Sequence, residues 1–278
     1  MDLLRKSFLL FFVLVMFGAI SIRAVPPETR TVLAIFAHPD DDITIGPLLA
    51  HYAKNGAQVY LAVATSGDQG TQAHAGIPAG EKLATAREEE SRQASKSYGI
   101  HEPFFLREKD ESLAGMEPHD RIVKRLKEII NQVKPSVIIT FGAEGITGHP
   151  DHRAIGNLAT EIVQMWPAGG VDGYSPQKLY YVSYPQSKFS KTVPPFPGPL
   201  GNVGDRFITT IVDSRDGLSG AAQAEFCYKS QHTPEIMAGI NHMMERVFEG
   251  RMYLRLALSH ATSRTSESDI FDRIVTNK

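Results

Sequence analysis

Two apolar runs, each ending in a histidine–aspartate cluster, constrain this chain more than any other feature. Residues Thr31 to Phe36 are apolar almost without interruption and lead into Ala37-His38-Pro39-Asp40-Asp41-Asp42. Residues Ser136 to Phe141 form a second such run, and Gly148-His149-Pro150-Asp151-His152 follows it. Short, continuous apolar runs read as strands buried on both faces, the mark of a parallel sheet. Two strands of that kind deliver both clusters to one edge of an α/β sheet, where such folds bind ligands.

The clusters carry the equipment of a hydrolytic metal site. His38 and Asp41 are three apart just past a strand, so a tight turn aims both at one point. His152 supplies a third ligand from the other strand end. Two nitrogens and one carboxylate oxygen hold zinc with a fourth position left for water, and zinc brings that water's pKa to about 7. Iron, cobalt and manganese tolerate the same donors. Asp40, beside a ligand but not needed as one, is the candidate general base. His149 is placed to hydrogen-bond a developing oxyanion and to protonate the leaving amine. Asp42 and Asp151 are expected to orient the imidazoles or the loop, although each also has the position of a helix cap or first-turn residue. At average composition, His-Pro-Asp-Asp arises by chance on the order of once in a thousand chains of this length. A second His-Pro-Asp after another strand makes the joint metal site the expected reading.

The rest of the chain supplies the fold. A helix is expected over Ile43 to Asn55, stopped by Gly56, then a strand over Val59 to Ala64. Ser66 to Gly80 is a polar loop. Glu81 to Tyr98 reads as a helix, Phe104 to Leu106 as a strand, Asp120 to Val133 as an amphipathic helix and Asp151 to Met165 as another. This alternation predicts an α/β fold: a Rossmann-like, doubly wound, mostly parallel sheet with helices on both faces. Beyond Trp166 the pattern loosens. Strands are expected at Leu179 to Val182 and Phe207 to Val212, separated by the rigid loop Pro194 to Pro199. Helices at Leu218 to Tyr228 and Glu235 to Phe248 close the domain, which spans 30–260, with a C-terminal tail over 261–278.

Composition excludes some classes. At 278 residues and 42% hydrophobic the chain suits one large domain. Its formal charge of −2 leaves no nucleic-acid footprint. Cys227 is the only cysteine, so no internal disulfide forms, and its neighbours Phe226 and Tyr228 suggest a packed helix position. At the N-terminus, Arg5 and Lys6 precede the apolar run Phe8 to Ile20, and Ser21-Ile22-Arg23-Ala24 follows. That pattern is a secretory signal with a cut after Ala24, or else an uncleaved anchor over residues 8–22. The run is short of the ~20 apolar residues of a membrane span. The protein is therefore expected to be exported, to the periplasm or beyond, and to meet a membrane only if that segment stays attached.

Together the motifs resemble the PIG-L (LmbE-like) family of zinc-dependent de-N-acetylases. The resemblance rests on Ala-His-Pro-Asp-Asp at 37–41 and Gly-His-Pro-Asp-His at 148–152. Thr65-Ser66-Gly67-Asp68-Gln69-Gly70 and Arg87-Glu88-Glu89-Glu90 support it, and it covers roughly residues 30 to 260. It implies zinc on His38, Asp41 and His152, Asp40 as general base, and His149 as an electrophilic, acid-type partner. It also implies that Arg87 holds polar groups of the substrate while Glu90 fixes that arginine. Two departures stand out. Many relatives carry glutamate where this chain has Asp42. Many also carry histidine before Lys/Arg-Ser-Gln, where this chain has Tyr228, with His232 close by. His51, His74, His101, His119, His242 and His260 have no partner spacing.

The expected function is removal of an N-acetyl group from an N-acetylglucosamine-type sugar or glycoconjugate. The motifs argue for metal-assisted amide hydrolysis; the sugar comes from the resemblance alone. One alternative is hydrolysis of another N-acyl amide, on a lipid or natural product, with Phe189, Val193 and Phe196 accepting the chain. Another is a non-catalytic, metal-dependent carbohydrate-binding relative, for which Asp40 and His149 would be superfluous.

Overall fold

The computed structural model describes residues 30–168, 170–189, 201–259, 267–272 and 274. The expected signal or anchor at 1–24, Val193, Phe196, the loop at 194–199 and His260 lie outside the described residues.

The chain runs β1 (Thr31–Phe36), a 3-10 turn (Asp41–Ile45), α1 (Gly46–Lys54), β2 (Gln58–Thr65), α2 (Glu81–Tyr98), β3 (Phe104–Glu108), α3 (Met116–Val133), β4 (Val137–Phe141) and α4 (Pro150–Gln164). Then come β5 (Lys178–Val182), the short β6 (Tyr184–Pro185), α5 (Gln186–Phe189), β7 (Asn202–Val203), β8 (Thr210–Asp213), α6 (Leu218–Glu225), α7 (Pro234–His242), a π-helical turn (Met243–Val247) and β9 (Arg251–Ser259). Seven strands form one sheet in the order β3-β2-β1-β4-β5-β9-β8. The first five are parallel, β9 is antiparallel to β5, and β8 is antiparallel to β9. The architecture is the mostly parallel, Rossmann-like sheet that the alternation predicts. Its winding reverses between β1 and β4, the crevice where ligands sit in such sheets.

Local chemistry explains the central elements. Every residue of β1 and β4 is buried, as continuous apolar strands under two helical layers must be. α3 buries Ile122, Leu126, Ile129 and Ile130, one and two turns apart, and exposes its charges. α4 lies so close to β4 that a Cβ on Gly156 would collide with the Phe141 carbonyl, so only glycine fits.

Several boundaries differ from expectation. The helix after the first cluster is split: Pro47, lacking an N–H, sits in the first turn of α1, and a 3-10 turn bridges from Asp41. Likewise, a 3-10 turn takes Asp205–Phe207 and β8 begins only at Thr210. α6 stops at Glu225, and the helix expected through Phe248 changes to π geometry after His242. β9 was not anticipated; its pairing with both β5 and β8 puts it inside the sheet.

The expected C-terminal tail is also corrected, because residues 267–272 belong to the domain. Ile270 and Phe271 are buried, and Asp269 accepts hydrogen bonds from Tyr52 (2.9 Å) and Arg30 (2.6 Å). The fully buried Lys178 ammonium donates to Glu267 Oε1 (2.9 Å), to the Tyr180 hydroxyl (3.3 Å) and to the Asp272 carbonyl. Removing one partner of such a pair strands the other in a low dielectric. Glu267→Leu is therefore expected to cost about 3–5 kcal/mol in urea unfolding. The double variant Lys178→Met/Glu267→Leu should recover most of it. A double variant no more stable than the worse single would show that the pair is not what anchors this segment.

Candidate active site

β1 and β4 are neighbours in register, Val32 opposite Val137 and Ala34 opposite Ile139, so the turns that leave them meet. His38 and Asp41 emerge from the first, His149 and His152 from the second. Phe141, the last residue of β4, stacks under the His152 ring with centroids 4.4 Å apart.

Three side chains converge. His38 Nδ1 lies 3.2 Å from His152 Nε2, His152 Nε2 lies 3.0 Å from Asp41 Oδ1, and His38 Nδ1 lies 3.6 Å from the other Asp41 oxygen, Oδ2. A tetrahedral ion with bonds of about 2.0–2.1 Å holds its ligand atoms ~3.3 Å apart, so the spacing of the two nitrogens and of the carboxylate suits one. Its chemistry fits as well. His152 Nδ1 donates to the Gly145 carbonyl (2.9 Å), which leaves a lone pair on Nε2. His38 Nε2 faces Asp110 Oδ1 (3.0 Å) and Asp151 Oδ2 (3.6 Å), which leaves a lone pair on Nδ1. The Ala37 and His38 backbone N–H groups steer the Asp41 carboxylate. Two imidazole lone pairs and a carboxylate thus face one another in a buried place, an arrangement that a cation resolves.

Charge preferences agree. Burial opposes a charge on His38, but hydrogen bonds to Asp110, Asp151 and Asp41 outweigh it and raise its pKa well above the usual value. Burial likewise opposes ionisation of Asp41, yet His152 and His38 hold it far below the carboxylate range. Asp110 is lowered to about 2: burial raises it, and the His38 bond more than compensates. The cluster demands positive charge. Asp110 went unsinged out by sequence because it sits in a charged loop, Lys109-Asp110-Glu111, with no spacing relation to either cluster.

His149 stands beside this triad, with one of its nitrogens within 4.8 Å of a nitrogen of His38 and of His152. Its Nδ1 accepts the Asp151 backbone N–H (3.1 Å) at the start of α4, which assigns the ring proton to Nε2. Burial and the two neighbouring histidines depress its pKa and favour the neutral ring. A neutral imidazole donates a hydrogen bond to an oxyanion well. The acid role expected of His149 would require a second proton on Nδ1, the nitrogen that here accepts the Asp151 N–H. Asp151, fully buried, accepts the Leu113 N–H with Oδ1 (2.9 Å) and turns Oδ2 toward His38.

Asp40 is held at φ 106°, a left-handed conformation that costs a non-glycine residue of order 1–3 kcal/mol. Arg87 holds it there. Its guanidinium donates to the Pro39 carbonyl (2.6 Å), the Gly67 carbonyl (3.0 Å) and Asp40 Oδ1 (3.0 Å). Arg87 is only 4% exposed, so a solvated helix face gives way to a buried clamp under Asp40, at the border of the cavity. Asp40 Oδ2 faces the cavity, 3.9 Å from His232 Nε2, and His232 Nδ1 is bound to the buried Glu225 (2.8 Å). Glu90 was expected to fix Arg87, but its hydrogen bonds go elsewhere. It accepts the Ser230 N–H (2.8 Å) and hydroxyl (2.6 Å), which fixes the strip that brings Gln231 and His232 to the cavity.

The two sequence departures meet in space. The Tyr228 hydroxyl donates to Asp42 Oδ1 at 2.6 Å, and both side chains are fully buried. Burial raises Asp42 to about 7, against the pull of this bond. A shorter acid and a longer hydroxyl-bearing ring span the same gap that a longer acid and a shorter ring would fill.

The site lines a cavity of about 380 Å³ that also takes in Thr44, Gly70, Gln72, Tyr184, Gln231 and Met244. The fold is shared with solved structures. N,N'-diacetylchitobiose deacetylase from Pyrococcus horikoshii superposes with TM-score 0.61 at 20% identity, over 82% of this chain and 83% of that one. The 4-carboxy-2-hydroxymuconate hydratase GalB from Pseudomonas putida KT2440 gives 0.62 at 16% identity, over 84% and 98%. At such identities the likeness is one of fold. Sequence goes further. The pattern of PIG-L, GlcNAc-PI de-N-acetylase, matches residues 33–163. The 1D-myo-inositol 2-acetamido-2-deoxy-alpha-D-glucopyranoside deacetylase of Rhodococcus erythropolis is 30% identical over 243 residues, 74% of this chain and 82% of that protein. The chain belongs to the PIG-L family, and is thereby a hydrolase of carbon–nitrogen bonds in linear amides.

The Asp42–Tyr228 bond makes a structural prediction. Asp42→Glu alone overpacks the site and should cost about 1–3 kcal/mol, and Tyr228→His alone leaves Asp42 without its donor at a similar cost. The double variant should be more stable than the sum by at least about 1 kcal/mol in chemical denaturation. Additive losses would show that the two positions do not compensate.

Proposed function

We propose that this protein is an exported zinc hydrolase that removes the acetyl group from an N-acetylglucosamine-type sugar or glycoconjugate. The observation that carries the reading is one cavity holding three converged metal-binding donors, a carboxylate oxygen of Asp40 and the Nε2–H of His149. The names of the matched relatives, a glucosaminide deacetylase among them, support the amino sugar.

A zinc ion held by His38, Asp41 and His152 would supply Lewis acidity toward the amide carbonyl and acidify water at that point. The chain's own groups do the rest. Asp40 accepts the proton of the attacking water on Oδ2, while Arg87 keeps Oδ1 and the strained turn in place. His149 donates its Nε2–H to the oxygen of the tetrahedral intermediate. Asp40 then returns the proton to the amine nitrogen as the carbon–nitrogen bond breaks, releasing acetate and the free amine.

Acetate release from N-acetylglucosamine oligomers and conjugates by the zinc-loaded protein tests this. A chelator should abolish it. Asp40→Asn should lower kcat by about 10²–10⁴ with zinc still bound stoichiometrically. Arg87→Met should lower kcat far more than it raises KM; a rise in KM alone would make Arg87 a sugar contact instead of a clamp. No release from any sugar by the zinc-bound protein would remove the amino-sugar reading.

Export rests on the basic residues Arg5 and Lys6 ahead of the apolar run at 8–20. Among the described residues no helix is long and apolar enough to cross a membrane. Mass measurement of the protein recovered from a bacterial host should show a chain beginning at Val25 outside the cytoplasm. An intact chain confined to the cytoplasm would refute export.

A further inference from the structure

The cavity has two chemically different walls, and hydrolysis uses only part of one. The polar wall is knit by its own hydrogen bonds. Asp110 Oδ2 accepts the Gln69 N–H (3.1 Å), Gln231 Nε2 donates to the Gly70 carbonyl (2.9 Å), and Arg87 ties in Gly67. The other wall is apolar: Ile43, Tyr184, Ile240, Met243 and Met244. Within it the Tyr184 hydroxyl points to the Thr44 carbonyl (3.5 Å). The two consecutive methionines come from the π-helical turn, a rare geometry found most often at functional sites.

Ile43, Ile240, Met243 and Met244 can neither take a water proton nor donate to an oxyanion, and the Tyr184 hydroxyl is directed to the Thr44 carbonyl. They offer almost no hydrogen bonds to a sugar, whose hydroxyls lose their partners against such a surface. The scissile carbon–nitrogen bond divides the substrate into a hydroxyl-rich amino sugar and an acyl group. The sugar requires the polar wall, so the acyl carbons turn to the apolar one. Ile240, Met243 and Met244 are each less than 5% exposed, too enclosed for a protein-docking face, and they line the same cavity as His38, Asp40 and His149, into which an acyl chain on the reacting carbon would extend. Methionine is flexible and polarizable, suited to aliphatic chains of varying length.

From these walls we infer that the enzyme accepts, and prefers, N-acyl amino sugars whose acyl group is an unbranched aliphatic chain longer than acetyl. The inference rests on the amidohydrolase reading and names the acyl half of its substrate.

Amine release by the zinc-loaded protein from N-acetyl-, N-butanoyl-, N-hexanoyl- and N-octanoylglucosamine tests it, with the octyl glycoside of N-acetylglucosamine as a separate arm. Each buried methylene contributes up to about fourfold, so kcat/KM should rise at least tenfold from acetyl to hexanoyl. In Met244→Phe, which fills the wall, the hexanoyl-to-acetyl ratio should fall toward one. Should that variant fail to fold, product inhibition of the unaltered enzyme gives the same information, with hexanoate expected to inhibit more tightly than acetate. A flat or falling series with N-acetylglucosamine still cleaved overturns the acyl assignment and leaves the hydrolase reading standing. A gain only with the octyl glycoside overturns it too, and moves the apolar group to the sugar's other end. No amine from any substrate defeats the hydrolase reading itself.

Discussion

Val32 and Val137, Leu33 and Ile138, Ala34 and Ile139 pair across two parallel strands that are about a hundred residues apart in the chain. Adjacent strands lie only ~4.8 Å apart, so the turns leaving β1 and β4 cannot avoid each other. Were another strand inserted between them, His38 and His152 could not come within 3.2 Å, and no donor triangle would form. The pairing is held by burial on both faces, which also makes the end of the sheet rigid. A site that depends on a few tenths of an ångström is thus carried by the least deformable part of the molecule.

The same geometry creates an electrostatic deficit. Hydrogen bonds at the far nitrogens of His38 and His152 turn their lone pairs inward, and backbone N–H groups hold the Asp41 carboxylate against them. In that arrangement the groups behind the donors aim them as much as the donors themselves do. Asp40 belongs to the same economy of constraint: its left-handed backbone is tolerable because a buried guanidinium bonds both the turn and the carboxylate.

Different parts of the site were legible to different degrees. His38, Asp40, Asp41, His149 and His152 could be read because a strand end and a tight turn are local features, and spacing within a turn maps directly onto space. Arg87 could be noticed, but not its job, since a charged helical run says nothing about which side faces the protein. Asp110 and Glu225 left no mark. Each reaches the site from a segment with its own local logic, and only packing brings it there. The Asp42–Tyr228 bond is a middle case: both departures are visible along the chain, and nothing along the chain says that they touch. β9 was missed for a related reason, because its partners, β5 and β8, come earlier in the chain and its place between them is a property of the finished sheet.

By itself the sequence determined the strand–helix alternation, the parallel core and the chemical identity of the histidines and aspartates that converge at the sheet's edge. Those follow from short-range rules: which side chains favour burial, where a turn must fall, which atoms donate electron pairs. The tertiary structure decided the hydrogen bond that orients His149, the clamp on Asp40 and the division of the cavity into a polar and an apolar wall. Those depend on desolvation and on contacts between groups far apart in the chain, and such free energies do not exist until the chain has closed upon itself.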